Sequence, residues 1–88
     1  MPEILHGLAI AETTVTITVT STGCTDKSDF EIQLQKSSPP VVTFVRVNPD
    51  LCRAAPHSVD IIFSIKEVGA DNFTVANLFE PGPKQLSA

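Results

Sequence analysis

Two cysteines, Cys24 and Cys52, and two histidines, His6 and His57, are the side chains of this sequence most able to do chemistry. An even pair of cysteines in a short chain reads as one disulfide wherever the compartment is oxidising. It would close a loop of ~28 residues, for which chain entropy gives about 3–4 kcal/mol. The alternatives are two free thiols in a cytosolic protein, or a zinc site completed by His6 and His57. No C-x-x-C or H-x-x-x-H spacing supports zinc.

Acidic residues gather around the same two positions. Asp26 and Asp29 follow Cys24, and Asp50 precedes Cys52, so a disulfide would draw them together with Lys27 and Arg53. Carboxylates in that number could hold Ca²⁺, but such sites add a bidentate Glu or carbonyls at regular spacing, and neither occurs here. Asp at a solvated sheet end favours Asx-type turns instead. No metal and no cofactor is expected.

Nucleophilic catalysis needs a nucleophile, a base and a group that orients the base. The chain has no G-x-S-x-G, P-loop or dinucleotide fingerprint. His57 and Ser58 are adjacent, and neighbours in a strand face opposite ways. The chain is not expected to be an enzyme. Asn72-Phe73-Thr74 matches the glycosylation sequon, which has meaning only in a host that glycosylates.

The elements that must position these residues are strands. Thr13 to Thr22 reads T-T-V-T-I-T-V-T-S-T, with Val15, Ile17 and Val19 on one face and threonines on the other. That period of two predicts a half-buried strand. One threonine-rich strand is not the flat array that ice binding uses, and threonine is the expected polar residue on a wet strand face. The strand has no Lys, Pro or Asp to protect an edge, so it should be interior or pair with a copy of itself, and a monomer with an interior strand is the expectation. Glu3–Ala11 would cover one side of it, and the next strand the other, through the Gly23–Ser28 turn.

That next strand, Asp29–Lys36, places Phe30, Ile32 and Leu34 on one face, and Ser37-Ser38-Pro39-Pro40 ends it. Val41–Asn48 is apolar on both faces apart from Thr43 and Arg46, as a covered central strand would be. A fourth strand runs from His57 to Lys66 with Val59, Ile61, Phe63 and Ile65 aligned. Val68–Asn72 reads as a hairpin connection to a fifth strand, Phe73–Phe79. Phe44 joins the expected core.

Composition sets the outer limits. The chain has 88 residues, 42% of them hydrophobic, a formal charge of −4, and neither Trp nor Tyr. That apolar fraction is too high for a disordered chain. The acidic balance offers no general attraction for nucleic acid or anionic lipid. No run approaches the ~18 apolar residues of a membrane span. A chain this short has a marginal core without a staple. The expected fold is all-β: a small antiparallel β-sandwich, immunoglobulin-like or similar, with five to six strands and one disulfide. It should occupy residues 1–80, leaving 81–88 as a flexible tail.

Gly23-Cys24-Thr25-Asp26-Lys27-Ser28-Asp29-Phe30 and Arg46-Val47-Asn48-Pro49-Asp50-Leu51-Cys52-Arg53 resemble segments of small uncharacterised, exported bacterial proteins with a paired cysteine. The resemblance covers residues 23–65. It implies export and a disulfide, and it carries no activity. Met1-Pro2-Glu3-Ile4-Leu5 lacks the basic start and longer apolar core of a secretory signal, so the expectation is a trimmed, periplasmic or extracellular chain rather than a cytoplasmic one.

The function expected is therefore non-catalytic binding or structural support by a monomer. The surface expected to serve it is the disulfide end: Asp26, Lys27, Asp50, Arg53 and His57. Without Trp or Tyr the chain lacks the usual interface anchors, which suits a modest partner, protein or small ligand. The rival readings are a cytosolic accessory domain with free thiols and a metal-binding module.

Overall fold

The computed structural model describes residues 2–83. Six strands run in the order β1 (Gly7–Ile10), β2 (Thr14–Ser21), β3 (Phe30–Gln35), β4 (Val41–Arg46), β5 (His57–Ser64) and β6 (Thr74–Val75). A 3₁₀ turn over Lys27–Asp29 precedes β3, and one helical turn, α1 (Ile65–Val68), follows β5. The strands form two three-stranded sheets, ordered β1-β2-β5 and β3-β4-β6. The chain is mostly β, and neither sheet closes on itself.

The alternation in β2 does what its pattern predicts. Val15, Ile17 and Val19 are fully buried, while the threonines between them lie half-exposed. The same core takes Ile61 and Phe63 from β5 and Phe30, Val42 and Phe44 from β3 and β4. Phe44 and Phe63, from different sheets, sit with ring centroids 5.4 Å apart, within the range of favourable aromatic pairs. Ile32, Leu34 and Val59 pack on the margin of this core.

β2 is interior, as its unprotected composition requires. β1 covers one side in the register Gly7↔Thr18 to Ile10↔Val15. The other neighbour is β5, not β3. The connection from Gly23 crosses to the second sheet instead of turning back. Gly23 has φ +116°, a conformation that L side chains rarely adopt, and the Cys52 and Ala54 side chains press close behind it.

Two further expectations need correction. Residues 65–72 are not a hairpin. Ser64 accepts the Glu67 amide while the Glu67 carboxylate accepts the Ser64 amide, a capping box that winds Ile65–Val68 into a helical turn. Gly69 ends it in the left-handed conformation. The sheets are also not wholly antiparallel: β6 shrinks to two residues and runs parallel to β4, pairing Val41↔Thr74 and Val42↔Val75.

Beyond β6 the ladder is continued by a side chain. Asn77 Oδ1 accepts the Phe44 N–H at 2.9 Å, and its Nδ2 donates to the Phe44 and Glu3 carbonyls at 2.7 Å each. One buried amide thus stands in for a strand residue. The chain then passes Leu5, whose carbonyl accepts the Glu80 amide, and Ser58, whose hydroxyl donates to the Pro83 carbonyl. The rest of the expected tail, 84–88, lies outside the described residues.

Candidate functional site

Cys24 follows the end of β2 and Cys52 lies in the β4–β5 connection. The two are disulfide-bonded, with Cα atoms 5.6 Å apart and a sequence separation of 28. That Cα separation is ordinary for a disulfide. The bond therefore ties two connections that each cross between the sheets.

The same two connections are joined a second time by Asp50. Its carboxylate accepts the backbone N–H groups of Thr22 (2.8 Å), Cys24 (3.1 Å) and Cys52 (3.0 Å). It also accepts the hydroxyls of Thr25 (2.7 Å) and Ser21 (3.1 Å). Desolvation alone would raise the Asp50 pKa, but the Thr25 hydroxyl and the Thr22, Cys52 and Cys24 amides together outweigh it. They hold the carboxyl far below the usual carboxylate range.

A cation extends the network across the sheets. Arg46, the last residue of β4, donates Nη1 to the Thr25 hydroxyl at 3.0 Å and Nη2 to the Thr20 carbonyl at 2.9 Å. Its Nε donates to Glu3 at 2.8 Å, and its guanidinium lies over the Phe30 ring, 4.8 Å from the centroid. Glu3, Arg46, Thr25 and Asp50 thus form one continuous chain of contacts. Among the described residues every buried side-chain nitrogen and oxygen has a hydrogen-bond partner.

The other expected site residues divide by role. Asp26 caps the 3₁₀ turn, accepting the Ser28 amide, while its own amide donates to Asp29 at 2.9 Å. Lys27 turns away from the disulfide to pair with Glu67 at 2.7 Å, its ammonium 5.4 Å from the Phe63 ring centroid. That ammonium and the Ser64 amide hold the Glu67 pKa below its ordinary value. His57 opens β5 opposite Ser21, and its Nδ1 hydrogen-bonds the Ala55 carbonyl at 2.9 Å. Arg53 is exposed beside Cys52. Cys24, Asp50, Cys52 and Arg53 lie in the two joined connections, and Lys27 reaches toward α1.

Cys24, Asp50 and Cys52 bring their ligand atoms within 4.8 Å of one another. Both sulfurs are spent in the disulfide, and the carboxylate is ringed by donors that a cation would have to displace. That arrangement anchors backbone amides. His6 is elsewhere, on the outer face of the first sheet. Its Nδ1 donates to the Glu80 carbonyl at 2.8 Å and its Nε2 lies 2.6 Å from the Thr20 hydroxyl.

Sequence reasoning passed over Thr25, Arg46 and Glu3. Arg46 carried a signal: it is the charged residue at the end of an otherwise apolar strand. The exposed side chains here are also informative. Leu51, between Asp50 and Cys52, is 82% exposed, and Val47 in the same loop is 49% exposed. Comparison of the chain with known protein families, with characterised proteins and with solved structures finds no match.

Proposed function

We propose that this chain is a non-catalytic binding domain, an immunoglobulin-like β-sandwich that works as a monomer in the periplasm or outside the cell. One observation carries the reading. Leu51 projects its side chain into solvent from a loop fixed on both sides of it, by the five donor groups around Asp50 and by the Cys24–Cys52 bond. A leucine left this open on a mobile loop would be unremarked. Held on a braced loop, it is a preorganised apolar contact, with Arg53 two residues away to orient a polar neighbour.

The partner is a protein or small ligand with an apolar site. Export is supported by the disulfide, since such bonds persist in oxidising compartments. The test is a photo-crosslinking residue placed at Leu51 in cells of the native source, with Asp71, also exposed, as the control position. A discrete adduct from position 51, absent from position 71, is the expected result. The same adducts from both positions would overturn the binding role. Two free thiols in protein taken from its native compartment would overturn export.

A further inference from the structure

The edge of the second sheet is open at β3. Its backbone polarity follows from the hydrogen bond of Val47 N–H to the Asp29 carbonyl at 2.8 Å, which continues the β3–β4 register by one step. Antiparallel pairing alternates, so Glu31, Gln33 and Gln35 bond to β4 while Ile32 and Leu34 direct their N–H and C=O groups outward. The far side of β4 agrees, since the Val42 carbonyl, opposite Leu34, bonds away from β3 to the Ala76 amide. Among the described residues no hydrogen bond reaches the outward groups of Ile32 and Leu34. β3 also lacks the lysine, proline or bulge that usually blocks an edge.

Beside this edge runs a groove of about 590 Å³ between β3 and β5. Its floor is apolar: Phe30 and Ile32 from one sheet and Phe63 from the other. Its rim is acidic. Lys27 and Glu67 neutralise each other, which leaves Asp26 and Glu31 as uncompensated charges.

We propose that this edge is a docking site for an extended segment of a partner protein in which apolar and basic residues alternate. Added to β3 as a fourth strand, such a segment would satisfy the outward groups of Ile32 and Leu34 through its main chain. Its apolar side chains would fall on the inner face, over the groove floor. Its basic side chains would fall on the outer face beside Glu31, because successive residues of a strand point opposite ways. A second copy of this chain suits the edge poorly, since β3 itself presents glutamate and glutamines there and the whole chain carries a net charge of −4. This surface is separate from the Leu51 loop, and neither needs the other.

The test uses the full chain and three synthetic peptides: one alternating valine and lysine, one alternating valine and glutamate, and the first again with alternate backbone nitrogens methylated. Amide chemical shifts and hydrogen exchange report binding. The valine–lysine peptide should shift and protect the Ile32 and Leu34 amides. The glutamate peptide should bind at least about tenfold more weakly, and Glu31→Lys should narrow or reverse that preference. The methylated peptide should protect neither amide. Lack of binding by the valine–lysine peptide at millimolar concentration would overturn the proposal. So would equal binding of the methylated peptide, or self-association without peptide that protects the same two amides.

Discussion

The Thr25 hydroxyl donates to the Asp50 carboxylate at 2.7 Å, and this bond joins the chain after β2 to the chain before β5. The disulfide joins the same two stretches. The disulfide end thus carries two clasps of different chemistry over one gap, and their consequences separate by pH and by redox state.

Asp50→Asn should weaken the protein at neutral pH, since the amide turns an NH₂ group toward donors that need an acceptor. It should also change the response to acid. The folded-state pKa of Asp50 is depressed, so its contribution is fully present above the unfolded value and is lost as pH falls through the folded one. Glu67 acts in the same direction. Urea midpoints of the native chain should fall between about pH 5 and pH 2. The Asn variant should start lower and fall less over that range. A variant with the native acid slope would show that Asp50 is not the clasp.

Reduction of Cys24–Cys52 should cost about 3–4 kcal/mol by loop entropy. With Asp50 intact the two connections remain joined, so the reduced chain should keep its near-ultraviolet circular dichroism. Two clasps across one gap should not be independent. A double-mutant cycle of Asp50→Asn with Cys24→Ser/Cys52→Ser should give a loss greater than the sum of the parts. Additivity would mean that each clasp holds a different piece of structure.

What the sequence made legible was local. The alternation of β2 and the end of that strand at Gly23 could be read from residue types, and the cysteine pair from its even count. The helical turn α1 also had a signal, Ser64 and Glu67 at capping-box spacing before Gly69. It was hidden because Ile65 continues the alternation of Val59, Ile61 and Phe63. What could not be read is non-local. Asn77 looks like an interruption of a fifth strand, and only its bonds to Phe44, 33 residues away, reveal a replacement for that strand. Asp50 likewise resembles any loop aspartate until the amides around it are in place. In the same way Leu5 is fully buried, but the spacing of Ile4, Leu5, Leu8 and Ala11, interrupted by Gly7, fits neither a helix nor a strand cleanly enough to mark it as core.

Phe63→Ala should cost about 3–5 kcal/mol, a large share of the stability available to a fold this small. The ring is 3% exposed, packs against Phe44 and lies beneath the Lys27 ammonium. Ile62→Ala, one residue away on the opposite face and 56% exposed, should cost far less. Equal losses in chemical denaturation would place the register of β5 one residue out.

Removal of residues 1–10 should do two separable things. It strips β1 from β2, freeing the side of an eight-residue strand that has no charge or proline to prevent pairing with another chain. It also removes Leu5 from the core. Leu5→Ala alone keeps the edge covered and should cost about 2–5 kcal/mol. That variant should therefore be less stable yet monomeric in sedimentation, whereas the truncated chain should form dimers or aggregates that grow with concentration. If Leu5→Ala self-associates as readily as the truncation, the cause is loss of core and not the bared strand. If the truncated chain stays monomeric with unchanged stability, β1 protects nothing.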